Sequence, residues 1–283
     1  MIVNPISGDL DKSELTDAAF SFAEEENLNL VIYNTTGVND IVNIQALYLS
    51  YKPERVIVAG GDGTIKMVSE ALQKEDVILG ILPAGSANGL AVDLDLMLTL
   101  EENLQIAFQN DYMEIDVITI NDKISLHLSD LGLNAELVKN YENATIRGKL
   151  GYALQAVNTL IDFEGPFTAT ITANDETINC VARMIVIANS KKYGTGVVIN
   201  PDGEMNDGKF ELVILKNLDL YVFGQIVTGN MPIESNDVEI ISTNEAVIKT
   251  NFPVSFQMDG EYCGTEKEYN VEILHKQMKV AIP

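Results

Sequence analysis

Tryptophan is absent from the 283 residues, cysteine and histidine occur twice each, and Lys and Arg number 18 against 42 Asp and Glu. Each scarcity excludes something. Cys180 and Cys263 have neither the paired spacing of a zinc set nor the number for a disulfide framework, so both are expected as structural thiols. His127 and His275 stand equally apart, which leaves histidine catalysis and histidine-ligated metal without support. A formal net charge of −24 argues against nucleic acid, whose phosphates require a basic surface. No apolar run approaches the roughly 20 residues of a membrane-spanning helix. No secretory leader is expected either, because Met1-Ile2-Val3-Asn4-Pro5 reads as a strand entering a turn. The cytoplasm is the expected compartment. Any chemistry must then come from carboxylates, hydroxyls, glycines and backbone amides.

What is present suits a folded chain. Hydrophobic residues make up 46% and the charges are interspersed, so disorder is not indicated. Over the first hundred residues, β-rich runs at Ile2–Val3, Leu30–Tyr33, Arg55–Ala59 and Val77–Leu82 alternate with helical patterns at Ser13–Glu26, Asp40–Tyr48 and Ile65–Leu72. Ser13 is the expected N-cap of the first helix, and Leu98–Phe108 reads as one helix more. This alternation makes a parallel sheet with helices on its faces.

From about Tyr112 strand signals crowd together: Ile115–Ile120, Lys123–Leu128, Phe167–Ala173, Thr177–Ala188, Lys209–Leu215, Val238–Ser242, Ala246–Lys249, Val254–Met258 and Tyr269–Leu274. Asn121-Asp122 and Asn174-Asp175 are turn pairs between them, and helices are expected at Gly148–Ile161 and Leu220–Val227. The fold class is therefore α/β plus β: residues 1–112 an α/β domain, residues 113–283 a mostly antiparallel β-sandwich, with the last strand a candidate to return to the first domain. An active site in a cleft between the two is expected.

Gly60-Gly61-Asp62-Gly63-Thr64 follows one β-rich run and opens the Ile65–Leu72 helix. Glycines let backbone turn sharply and approach a ligand. The helix start offers amides and a positive dipole end to phosphate. Asp62 suits a divalent cation or a hydroxyl better than phosphate itself. In Pro83-Ala84-Gly85-Ser86-Ala87-Asn88-Gly89, Ser86 and Asn88 are candidates to donate to phosphate or ribose oxygens, or Asn88 caps the next helix. Asn4-Pro5-Ile6-Ser7-Gly8 adds a third such loop, and ligands of open α/β sheets gather where parallel strands end. Downstream, strand alternation places Asp259 and Glu261 on one face, a pair suited to general-base work or metal holding, with a solvated acidic turn as the alternative. The loop Pro201–Gly208 is rich in oxygen ligands for a hard cation such as Mg²⁺, and equally reads as a plain β-turn.

Taken in order, NPISG, AGGDGTI, LPAGSANGLA, NPDGEMNDGKFELVIL and QMDGEYCG resemble the diacylglycerol kinase and sphingosine kinase-like lipid kinases of bacterial type, from residue 1 to about residue 280. The resemblance implies a phosphofructokinase/NAD-kinase-like nucleotide domain before the β-rich domain, and Mg²⁺-dependent transfer of the γ-phosphate of ATP to a lipid hydroxyl, as in phospholipid biosynthesis. It makes Asn4, Pro5, Ser7, Gly8, Thr36, Gly60, Gly61, Gly63, Thr64, Ser86 and Asn88 nucleotide contacts. Asp259, Glu261 and Asp62 become rival bases; Glu204, Asp207 and Lys209 (through its carbonyl) become metal ligands; Glu136 becomes a substrate contact. Two departures stand out. Gly89 replaces the acid that usually follows the loop Asn, and Lys66-Met67 replaces Asn-Glu. The implied partner is a lipid met transiently at a membrane surface, with Arg147, Lys149, Lys191 and Lys192 as a candidate basic face. A homodimer stays open. The rival readings are an NAD kinase-like small-molecule kinase and a non-catalytic lipid- or nucleotide-binding relative.

Overall fold

The computed structural model describes residues 1–9, 11–133, 135, 165–192, 196–217 and 236–283. The expected helices at 148–161 and 220–227, together with Glu136, Arg147 and Lys149, lie outside them. The chain divides into two compact units, Met1–Ile115 with Lys276–Pro283, and Asp116–His275.

In the first unit the strands are β1 (Ile2–Val3), β2 (Tyr33–Asn34), β3 (Arg55–Gly60) and β4 (Ile78–Pro83). They pair in parallel in the order β4-β3-β1-β2, and the returning C-terminal segment adds Lys279 and Val280 in parallel beside Ile78 and Leu79. The helices are α1 (Ser13–Glu25), α2 (Asp40–Tyr51), α3 (Asp62–Leu72), α4 (Gly89–Asp93) and α5 (Leu100–Gln109). Period-two alternation sends Val3, Ile57, Ala59 and Leu82 to one sheet face, where they bury against Ala19 of α1 and Leu104 and Ala107 of α5. Gly80 lets α5 press onto β4: a Cβ there would lie 2.5 Å from the Ala107 carbonyl oxygen.

Several local expectations shift. Ser13 is the first helical residue, not the cap; its amide donates to Asp11 Oδ1 at 2.9 Å. The second strand is Tyr33–Asn34, later than the run Leu30–Tyr33, because Tyr33 and Asn34 are the residues in register with Ile2 and Val3. The last helix of the unit starts at Leu100, where Thr99 and Glu102 form a reciprocal capping box.

β5 (Tyr112–Ile120) leads into the second unit, where β6 (Lys123–Ser125) and β7 (Leu128–Gly132) follow. Next come β8 (Phe167–Ala173), β9 (Glu176–Ala182), β10 (Met184–Ala188), β11 (Phe210–Leu215), β12 (Val238–Thr243), β13 (Glu245–Met258) and β14 (Glu261–Ala281). An antiparallel path runs β12-β11-β10-β7-β13-β14, and the β8–β9 hairpin joins β13. β13 changes partner along its length. Ala246–Thr250 pair with β8, whereas Phe256–Met258 pair with β7. The register breaks between Lys249 and Val254, around Pro253, whose missing N–H suits a bend. A strand that switches partners at a bend is how two sheets share a corner, and the enclosed core holds Leu131, Phe167, Ile185, Phe210, Phe256 and Tyr269. The two runs read at 246–249 and 254–258 are thus one bent strand. The single run 177–188 is two strands parted at Arg183, and Lys123–Leu128 likewise divides into β6 and the start of β7. Both cysteines are free thiols, Cys180 buried.

Candidate functional site

In the first unit three loops sit at the carboxyl ends of β1, β3 and β4 and are tied to one another. Asn4 Nδ2 donates to Thr64 Oγ1 at 3.0 Å, joining the first loop to α3. The Ser7 hydroxyl lies 2.9 Å from the Ala84 carbonyl, joining it to the third. Lys12 is buried, and its ammonium donates to Ser7 O at 2.6 Å, closing the turn on itself. Gly61 and Gly85 press backbone to backbone, since a Cβ on Gly61 would come within 2.9 Å of Gly85 Cα. Gly61 is the N-cap of α3, so Asp62, Gly63 and Thr64 form its first turn. Pro5 and Ser86 are exposed.

Asp62 bridges the second loop and the third. Its two oxygens accept from the amides of Gly89 at 2.8 Å and Leu90 at 3.0 Å, so it caps α4 from another part of the chain. Asn88, which precedes α4, does not cap it. Asn88 adopts a left-handed conformation at φ 56° and turns its side chain back, accepting from the Gly85 amide at 2.7 Å. Thr36 is exposed on a loop organised by Asp40, which accepts from the amides of Thr36 at 3.0 Å and Gly37 at 2.7 Å. The Tyr33 hydroxyl donates to Asp40 at 2.6 Å, and with these amides holds its carboxyl below the usual carboxylate range.

In the second unit Asp259 and Glu261 do not share a strand face. Met258 pairs directly with Glu261, so Asp259-Gly260 is a two-residue hairpin turn, both residues at positive φ, 50° and 85°. The buried Asp259 carboxylate folds inward and accepts from Ser125 Oγ at 3.0 Å and the amides of Leu126 at 3.2 Å and His127 at 2.9 Å. Glu261 is exposed at the head of β14.

Glu204, Asp207 and Lys209 are exposed on the 201–209 loop, and Asp207 Oδ1 accepts from the Lys209 amide at 2.9 Å. Among the described residues no group of three His, Cys, Asp or Glu side chains gathers as a metal cage. The loop is anchored by a residue the motifs did not reveal. Asp116 is fully buried; its Oδ2 accepts from the Gly208 amide at 2.6 Å and its Oδ1 lies 2.8 Å from His275 Nδ1. Its only sequence signal is an acid at an inward position of the strand pattern Glu114-Ile115-Asp116-Val117-Ile118.

Comparison with known proteins decides the family. Residues 1–120 match the diacylglycerol kinase catalytic domain, and residues 130–282 match the YegS C-terminal NAD kinase beta sandwich-like domain. The chain belongs to the YegS/diacylglycerol kinase family. Similar relatives in this family include a diacylglycerol kinase of Bacillus subtilis, 27% identical over 275 residues, covering 93% of this chain and 89% of the relative. Another is the "Probable lipid kinase YegS-like" of Shewanella frigidimarina, 24% identical over 246 residues, 81% of this chain and 76% of the relative. The fold matches the crystal structure of a diacylglycerol kinase from Bacillus anthracis with a TM-score of 0.74 at 19% identity, covering 100% of this chain and 95% of that one. The three tied loops fall in the catalytic-domain match; the Asp259 turn and the 201–209 loop fall in the YegS-type match. Among the described residues no helix is long and apolar enough to cross a membrane.

Proposed function

We propose that the chain is an ATP-dependent lipid kinase, transferring the γ-phosphate to a lipid hydroxyl. The observation that carries this reading, beside family membership, is the mutual bonding of the three strand-end loops. It holds the first-turn amides of α3 fixed, and fixed donors are what a transferring phosphoryl group requires. Asp62 acts here as a positioning residue: with both oxygens on the amides of α4, it orients the third loop rather than taking a proton. Asp259 is likewise engaged by three donors and shapes its turn. Glu261, the exposed carboxylate beside it, is our choice for the group that accepts the hydroxyl proton.

Mg²⁺ fits the 201–209 loop by chemistry. Glu204, Asp207 and the Lys209 carbonyl offer oxygen alone, and their exposure leaves room for the waters this ion retains. When bound, the ion supplies charge neutralisation. The acceptor is a diacylglycerol- or sphingosine-like alcohol met transiently at a lipid surface.

The test is transfer of labelled γ-phosphate from ATP-Mg²⁺ to diacylglycerol, monoacylglycerol, sphingosine and ceramide in mixed micelles, with NAD as a soluble control. Glu261→Gln is expected to lower kcat by about 10²–10⁴ with KM for ATP little changed. Asp62→Asn is expected to raise KM for ATP as well. Label on NAD, or ATP binding without lipid labelling, would overturn the proposal.

A further inference from the structure

Ser129 and Asp130 are neighbours on β7, so their side chains leave opposite faces of the sheet. Each reaches the Asp259-Gly260 turn through one intermediary. On one face Ser129 Oγ donates to Ser125 Oγ at 2.8 Å, and Ser125 donates to Asp259 at 3.0 Å. On the other, Asp130 stands in register opposite Gln257, whose Nε2 donates to Asp130 Oδ2 at 2.5 Å. Gln257 Oε1 then accepts from the Gly260 amide at 2.8 Å.

The Asp130–Gln257 arm sits in an expensive place. Asp130 is 0% and Gln257 1% exposed, and the register partner of Asp130 on β10 is the fully buried Val186. Burying a carboxylate beside an apolar residue costs far more than burying a valine. The arrangement also admits one orientation. A carboxylate cannot donate and an amide N–H cannot accept, so only Nε2 toward Asp130 and Oε1 toward Gly260 pairs donor with acceptor at both ends. Asp130 thereby dictates which end of the carboxamide faces the turn.

We propose that Asp130 and Gln257 are positioning residues that hold the Asp259-Gly260 turn, and with it Glu261, in its working geometry. The holding of the turn stands on the geometry alone; its consequence for phosphoryl transfer rests on the kinase reading above. The measurements are site-resolved hydrogen exchange of the Gly260 amide and steady-state kinetics, on variants first shown to melt cooperatively. Asp130→Ala removes the acceptor and frees the carboxamide to turn. Gln257→Glu keeps the acceptor for Gly260 but sets two carboxylates against each other. Both are expected to speed Gly260 exchange about tenfold and to lower kcat about tenfold, with KM for ATP within about twofold. Asp130→Asn, which can still accept from Gln257, is expected to behave like the parent. The double variant Asp130→Asn with Gln257→Glu restores one donor and one acceptor in reverse order and is expected to recover both readouts.

A folded Asp130→Ala or Gln257→Glu protein whose Gly260 amide exchanges at the parent rate overturns the proposal. So does a double variant no better than Gln257→Glu alone. If the parent transfers no phosphate, the kinase reading fails by itself, while the exchange arm still decides whether this pair holds the turn.

Discussion

Tyr269 shows how one side chain repairs an interruption in the backbone ladder. It is fully buried, and its hydroxyl lies 2.8 Å from Val254 O and 3.0 Å from Glu266 O, where the β13–β14 register resumes after the bend. Tyr269→Phe leaves the ring packing and removes the bond, for an expected loss of about 1–2 kcal/mol, or roughly 3–6 °C in Tm. Burial pushes the phenol's pKa well above its ordinary value near 10. A raised native pKa means stability present below about pH 10 and lost as pH climbs beyond it, because the unfolded chain ionises first. The deficit of Tyr269→Phe measured by thermal melting is therefore expected to narrow above about pH 10; a constant deficit would contradict this. Such residues are poorly legible in sequence. Asp116, Asp130 and Gln257 look like ordinary polar residues in strands until register shows what stands opposite them. Asp62 was legible as special because it interrupts glycines, yet its partners at Gly89 and Leu90 lie 27 and 28 residues away and no local pattern names them.

The elements of the first unit were legible because parallel strands buried on both faces read as apolar runs, and helices carry a different period. Hairpin turns were legible for a similar local reason: Asn121-Asp122 and Asn174-Asp175 tolerate the positive φ they adopt, 48° and 66°, then 52° and 62°. What periodicity could not show was how loops at the strand ends interlock. The Gly61–Gly85 contact is a meeting of backbones, and Gly85→Ala places a Cβ against Gly61 Cα and 2.9 Å from Asn88 Oδ1. Backbone cannot yield as a side-chain tip can, so a stability loss of about 1–3 kcal/mol is expected, and, on the kinase reading proposed above, a weaker affinity for ATP. Gly37 supplies the contrast. It sits at φ +81° with nothing within 4 Å of a Cβ, so Gly37→Ala is expected to cost only the conformational penalty of about 1 kcal/mol. Melting curves and ATP titrations of the two variants separate contact from conformation. Equal effects would refute the interlock.

At the scale of the whole molecule the net charge of −24 would govern any approach to the lipid surface proposed above. Anionic headgroups and this chain repel, and the repulsion acts over about 8–10 Å at physiological ionic strength, contracting to about 3 Å at 1 M. A neutral surface exerts no such force. If the acceptor is drawn from a bilayer, the initial rate on vesicles rich in anionic lipid is expected to rise several-fold between about 0.05 and 0.5 M salt at fixed Mg²⁺, as screening removes the barrier to approach. The rate on zwitterionic vesicles carrying the same acceptor is expected to change little. A short-chain acceptor dissolved as monomer separates approach from chemistry, because salt effects on folding or on ATP binding would appear there too. A rate on anionic vesicles that falls with salt, while the monomer rate holds, would mean that a locally basic face overrides the net charge. Lys191 and Lys192 are the described members of the cluster that sequence nominated for that part, so Lys191→Glu with Lys192→Glu would then abolish the salt dependence on anionic vesicles and leave the monomer rate intact.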